Sequence, residues 1–434
     1  MMTREQFNIV KLTALGGMLE FYDFTIYALF APYLSYHFFT NTSPLIGLIN
    51  TFAVFALGYF ARPIGGLFFG HLGDRFGRKS AFSLAVFIMS IATLLMGCLP
   101  SYQTAGIISP LALIILRLVQ GFSVGGEIPG AAIFIIEHVP QTRRGFAIGF
   151  VFMCITLGNT LGAGIGLLLT TFIDQQQMMS WGWRIPFVLG FLLGIVSYLI
   201  RRKSIETPAF IAMKHNEEIQ RIPALVLLRK SRKKLLTCFI LTALPASIIS
   251  LFLYLPTYLI NTAKIAVSYV YWVNFIGFLS FSLMTLLFGW LSDFLPRKKL
   301  LVSGALSLLV FSYSLFEQLT TVGEPFIWFF VLGFALLGGM INASYVVFIV
   351  ESFPTSLRYS GVGLSYSLGI ALFGGIAPLA FTGLLQLLTI KEAPAFYLLG
   401  CATLTLAGAF VLSKSSSSTV RAEEAFRPSR SLSQ

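Results

Sequence analysis

Gly70-His71-Leu72-Gly73-Asp74-Arg75-Phe76-Gly77-Arg78-Lys79 follows one long apolar run, and 219 residues later Gly289-Trp290-Leu291-Ser292-Asp293-Phe294-Leu295-Pro296-Arg297-Lys298 follows another. Gly, Leu, Asp, Arg and Lys return in register. A second motif does the same. Glu137, Pro140 and Arg144 are matched by Glu351, Pro354 and Arg358 at a distance of 214 residues. Two unrelated motifs at nearly one offset mean that the chain is built of two matched halves.

What is repeated is a set of membrane spans. The chain is 56% hydrophobic and 11% charged, where a soluble domain carries about 25% charged residues. Residues 81–116, 146–173, 235–263, 265–292, 325–350 and 359–390 contain no Asp, Glu, Lys or Arg. A hydrocarbon core of ~30 Å takes about 20 apolar residues of helix. The blocks predict twelve spans, at 13–38, 46–71, 80–99, 107–136, 145–173, 183–201, 235–260, 267–291, 299–317, 325–350, 359–387 and 394–412. The predicted fold is therefore an all-α membrane protein with twelve transmembrane helices in two pseudo-symmetric six-helix halves. The first half covers 1–201 and the second 235–412, with a basic cytoplasmic linker at 202–234 and a Ser-rich, disordered cytoplasmic tail at 413–434. Arg4 and Lys11 precede an apolar run too long for a signal-peptide core, so span 1 is expected to be retained.

The net charge of +13 orients the chain. Of 30 Lys and Arg residues, Lys264 and Lys391 fall in outer loops, Arg184 at the outer end of span 6, and Arg62 and Arg117 within spans. The other 25 lie on one side. That asymmetry predicts a cell-membrane protein with both termini cytoplasmic, and it takes away the reading of the charge as a nucleic-acid footprint. The cysteines and the four histidines are scattered, so no metal or cofactor is expected. No nucleophile–base constellation is visible, which argues against an enzyme.

The loop after span 2 resembles the signature of the major facilitator superfamily. Further stretches resemble its metabolite–proton symporter branch, which includes proline/betaine, shikimate, α-ketoglutarate and citrate permeases. These are Leu19-Glu20-Phe21-Tyr22-Asp23, Ala61-Arg62-Pro63, Arg117-Leu118-Val119-Gln120-Gly121, Trp181-Gly182-Trp183-Arg184 and Glu206-Thr207-Pro208. The resemblance implies alternating access driven by protons, with the coupling Asp on span 1 and an Arg on span 4.

Ionisable groups inside spans are costly unless paired or hydrated, so they mark function. Span 1 carries Glu20 and Asp23 on one face, span 2 Arg62, and span 4 Arg117 and Glu127; spans 7, 8, 10 and 11 have no comparable deep charge. Two readings stand: a proton-coupling site at Asp23, Arg117, Glu20 and Glu127, or a structural ion pair holding spans 1, 2 and 4 together. Arg62, Tyr22, Tyr27, Tyr254, Tyr258, Trp272 and Asn342 are candidate substrate contacts, against the alternative of packing aromatics and interhelical amides. The repeated loops are read as cytoplasmic gates. Asp74 with Arg75 and Arg78, Glu137 with Arg144, Asp293 with Arg297 and Glu351 with Arg358 would close when the inner side is shut. The expected function is symport of a proton with a small carboxylate or zwitterion, working as a monomer in the bilayer. An exporter or exchanger of the same fold, or a non-transporting receptor, are the competing readings.

Overall fold

The computed structural model describes residues 14, 17–18, 21–40, 43–76, 78–125, 132, 135–136, 139–203, 231–353 and 358–425. At 70–71, 73–76, 78–82, 200–203, 358–360 and 412–425 the description is of the backbone alone.

The described chain is a bundle of helices. Helical residues 21–29 run through Phe30 into Ala31–Phe38 and form α1. There follow α2 (Pro44–Phe76), α3 (Arg78–Cys98), α4 (Ile108–Val124), α5 (Arg144–Phe172) and α6 (Ile185–Lys203). The second half holds α7 (Arg232–Asn261), α8 (Val267–Leu291), α9 (Arg297–Val322), α10 (Glu324–Ser352), α11 and α12 (Ala393–Ala425). In α11, helix Arg358–Gly369 passes through a π turn, Ile370–Gly375, into helix Ala377–Leu388. Nine of these are long and apolar enough to cross a bilayer, and Ser83–Cys98 and Ile108–Val124 are shorter apolar helices. Each of the twelve predicted spans has a described helix at its place, spans 1 and 4 being described only in part. The ninth is longer than predicted, and α12 runs to Ala425 where the sequence predicts a disordered tail from 413. No Pro or Gly follows Gly408 before Pro428, so nothing local stops that helix.

The bundle is apolar on its surface and keeps its deep charges inside an otherwise apolar core. Val310, Phe329 and Phe172 are exposed, while Asp23, Arg62 and Arg117 are buried. Lipid imposes that arrangement, because an apolar surface costs nothing there and a charge costs several kcal/mol. The same solvent forbids loose backbone groups, and prolines test the rule. Pro256 in α7 has no N–H for the Phe252 carbonyl one turn back, and Asn274 Nδ2 of α8 donates to that oxygen at 2.7 Å. Pro378 in α11 likewise frees the Gly374 carbonyl, which accepts from the Ser250 hydroxyl of α7 at 2.8 Å.

Two long contacts join the halves, α5 with α8 and α2 with α11. The repeat maps α2 onto α8 and α5 onto α11, so a pseudo-two-fold axis exchanges the two contacts. Glycines set the approach of α5 to α8: a Cβ on Gly149 would stand 2.8 Å from the Gly289 Cα. Gly121 of α4 meets α2 in the same way, where a Cβ would lie 1.7 Å from the Gly58 carbonyl oxygen.

Candidate functional site

The buried charges meet inside the first half. Asp23 is 1% exposed and Arg117 fully buried. They do not form the direct pair that the sequence predicts. Two neutral side chains stand between them. The Thr93 hydroxyl of α3 donates to Asp23 Oδ2 at 2.9 Å, Gln120 Nε2 of α4 donates to Thr93 Oγ1 at 3.0 Å, and Arg117 Nη1 donates to Gln120 Oε1. Arg117 and Gln120 are one helical turn apart, so α4 presents both to the same side. Asp23 Oδ1 and Arg117 Nε and Nη2 are buried without a hydrogen-bond partner. Both ends of the chain of bonds therefore keep open valences.

Aromatic rings surround the cations. The Arg117 guanidinium lies 4.2 Å from the Phe24 ring centre, 4.5 Å from Tyr27 and 4.9 Å from Phe55. The Arg62 guanidinium is 4.1 Å from both Phe24 and Tyr59. Cation–π attraction is strongest where water is excluded, as it is here. Gly190 of α6 supplies the room for the carboxylate, since a Cβ there would be 2.4 Å from Asp23 Oδ1.

The remaining predicted contacts are dispersed. Tyr22 donates to the Pro186 carbonyl at 2.9 Å and ties α1 to α6. Tyr27 donates to the Thr51 carbonyl at 3.2 Å while its ring faces Arg117. Tyr254 sits between the halves, with Phe52 of α2 on its ring at 5.4 Å and the Thr382 hydroxyl 3.1 Å from its own. Tyr258 donates to the Lys391 carbonyl at 2.9 Å. Trp272 is exposed and stacks on Phe275, so it lies outside the central cluster; a one-dimensional pattern could not tell the lipid face of α8 from its inner face. Asn342 of α10 is buried with neither amide atom partnered, and the Tyr345 ring one turn on stacks on Tyr366. Asn274 serves Pro256, and Asn159 accepts from Thr25 at 2.6 Å, joining α5 to α1. Glu20 and Glu127 lie outside the described residues.

At the end of the bundle where the basic loops gather, an ion pair crosses between the halves and a second lies within the second half. Arg144 at the start of α5 reaches Glu351 of α10 at 3.3 Å, and Arg297 at the start of α9 reaches the same carboxylate at 2.8 Å. Asp293 accepts from the Gly145 and Phe146 backbone N–H groups at 2.7 and 3.0 Å, capping α5 from the other half. Its contact with Arg297 is longer, 3.8 Å. Burial pushes the Asp293 carboxyl above the usual carboxylate range, and the two N–H donors with Arg297 and Arg143 only partly offset that. A cavity of about 560 Å³ lies among Gln141, Thr142, Arg144, Asp293, Arg297 and Glu351. The predicted pair of Asp293 with Arg297 is present, and Glu351 takes Arg144 and Arg297; the Arg358 side chain lies outside the described residues. The side chains of Asp74, Arg75 and Arg78 and all of Glu137 lie outside the description.

The sequence profile of the Major Facilitator Superfamily matches residues 13–378. The chain belongs to the Major Facilitator Superfamily. Within it, a putative proline/betaine transporter of Staphylococcus haemolyticus is 33% identical over 396 residues, 90% of this chain and 84% of that one. The glycine betaine/proline/ectoine/pipecolic acid transporter OusA of Dickeya dadantii is 30% identical over 412 residues, covering 92% and 81%. The superfamily fold is seen again in a crystal structure of a D-xylose–proton symporter, with a TM-score of 0.75 at 18% identity over 94% of this chain and 97% of the other. This superfamily member is a multi-pass membrane transporter of small solutes and not an enzyme.

Sequence reasoning missed Thr93, Gln120 and Gly190. Thr93 gives no signal, because hydroxyls are common in spans and usually bond their own helix. Gln120 gave one: an amide three residues from a buried Arg, on the same helix face. Gly190 becomes visible only once α6 is set against α1.

Proposed function

We propose that this transporter imports a small zwitterion of the proline or betaine type together with a proton, and that Asp23 is the proton site. The observation that carries the proposal is the buried pair of open valences, on Asp23 Oδ1 and on Arg117 Nε and Nη2. A carboxylate held away from water exchanges its charge for a proton. A guanidinium with free N–H groups takes a substrate carboxylate. The rings of Phe24, Tyr27 and Phe55 already hold a cation, and ring faces of that kind suit a quaternary or secondary ammonium. The names of the relatives support the same class of solute.

In this reading the end bearing the basic loops and both termini faces the cytoplasm, and the monomer is the working unit with no cofactor. The ion pair of Arg144 with Glu351 shuts that end while the outer side loads. Protonation of Asp23 and arrival of the substrate let the halves rock, the pair parts, and both cargoes leave inward. The test is uptake of labelled proline and glycine betaine into proteoliposomes under an imposed pH gradient. Accumulation above equilibrium is expected for the parent. Asp23→Asn is expected to lose accumulation and keep solute exchange. Gradient-driven accumulation that survives Asp23→Asn unchanged sinks the assignment.

A further inference from the structure

Two neutral polar groups in a row separate the proton site from the buried cation, and the donors all point one way. Arg117 donates to Gln120, Gln120 to Thr93, and Thr93 to Asp23. Thr93 Oγ1 has a second acceptor within reach, the Met89 carbonyl of its own helix at 3.0 Å. A hydroxyl has one hydrogen to give and two lone pairs to accept with. It can therefore donate to Asp23 or to Met89, and not to both.

We infer that Thr93 and Gln120 are positioning residues for proton coupling, forming a relay whose last hydrogen bond reverses when Asp23 is protonated and so loosens the hold on Arg117. The inference rests on the proton-site reading of Asp23 given above. With Asp23 ionised, the hydroxyl donates to Oδ2, and each bond polarises the next back to Arg117. When a hydronium ion gives its proton to Oδ2, an O–H bond forms there and water departs. The Thr93 hydrogen then turns to the Met89 carbonyl. The Thr93 oxygen accepts from the new carboxyl O–H and still accepts from Gln120. Thr93, Gln120 and Asp23 Oδ2 keep a partner in both states. What changes is the pull on Gln120 and, through it, on Arg117, whose Nε and Nη2 are already open to an incoming carboxylate.

The groups around Asp23 keep the titration simple. Tyr22 on its own helix and Arg117 on α4 are the titratable side chains that act on it among the described residues, with Arg62 of α2 beside Arg117. α3 and α6 present Thr93 and Gly190, and neither titrates. Thr93 is fully buried, so no water replaces its hydroxyl at no cost.

Infrared difference titration of the purified protein tests the relay without a substrate. The carboxyl C=O band that Asp23→Asn removes reports the proton site. Thr93→Val removes the donor to the ionised form, so the band's midpoint should move to higher pH by about 1 unit. The band itself should rise in frequency, because its O–H has lost the Thr93 acceptor. Thr93→Ser should restore both values, and Gln120→Leu should shift the midpoint the same way by less. If Thr93→Val does not yield folded protein, Thr93→Ala carries the same expectation. A band with parental midpoint and frequency in these variants overturns the relay and leaves the proton site standing. A parent with no band sensitive to Asp23→Asn overturns both.

Discussion

One buried amide does structural work that its chemistry would assign to a binding site. Asn274 is fully buried, and its amide closes the valence that Pro256 opens at the Phe252 carbonyl. Asn274→Leu leaves that oxygen unsatisfied, and a loss of about 1–2 kcal/mol is expected, read as a lower midpoint of thermal unfolding in detergent. An unchanged midpoint would show that the carbonyl finds another partner. Gly190 is the converse case, a residue with no chemistry that the site depends on. A methyl group there meets Asp23 Oδ1 at 2.4 Å and Thr93 Cγ2 at 3.0 Å. Gly190→Ala should abolish accumulation driven by a pH gradient while unfolding at the parental temperature; full accumulation would mean that the carboxylate can move aside freely. At this scale the sequence was legible where charge was the signal. Asp23, Arg62 and Arg117 stand out in apolar spans because their burial is costly. Thr93 and Gln120 do not, since a neutral polar side chain in a span has many ordinary uses.

Among the helices, α11 shows how a weak point is supported. The run Gly374-Gly375-Ile376-Ala377-Pro378 predicts a break, and a π turn over Ile370–Gly375 occurs there. A π turn and a proline both leave carbonyls behind. Ser250 of α7 takes the Gly374 oxygen, and Tyr397 of α12 takes the Phe373 oxygen at 2.8 Å. α11 is thus bent and held by its neighbours, next to Tyr59 of α2, against which a Cβ on Gly375 would stand at 2.6 Å. Ser250→Ala should destabilise the protein by about 1 kcal/mol. Pro378→Ala returns an N–H to the Gly374 carbonyl, so adding it to Ser250→Ala should recover most of that loss. Strict additivity of the two changes in unfolding measurements would disprove the exchange of partners. The break was readable from Gly and Pro alone. Its supports were not, because they come from other helices, Ser250 from 124 residues away and Tyr397 from 24.

For the whole molecule, the repeat was visible in the sequence but the way the halves exchange partners was not. Each motif suggested a pair within its own half, Asp293 with Arg297 and Glu351 with Arg358. The pseudo-two-fold axis also sets the loop of one half against the helix start of the other. Glu351 therefore takes Arg144 across the halves as well as Arg297 within its own, and Asp293 caps α5 while Arg297 stands 3.8 Å away. Each ion pair is part-exposed and worth about 0.2–1 kcal/mol. The pair that spans the halves, Arg144 with Glu351, biases the closed arrangement of this end by up to about 1 kcal/mol, or roughly fivefold in population. Glu351→Gln should lengthen the distance between spin labels at Gln141 and Phe294 in a corresponding fraction of molecules. A second consequence concerns pH. Asp293 holds its proton more tightly when buried here than it would exposed. The arrangement with the higher proton affinity gains as pH falls, so acidification through the carboxyl's raised range should shorten the same label distance. Asp293→Asn should remove that dependence while keeping a side-chain oxygen to accept from the Gly145 and Phe146 N–H groups. A distance that still responds to pH in this variant would place the sensor elsewhere, and one that never responds in the parent would mean that opening does not change the carboxyl's surroundings.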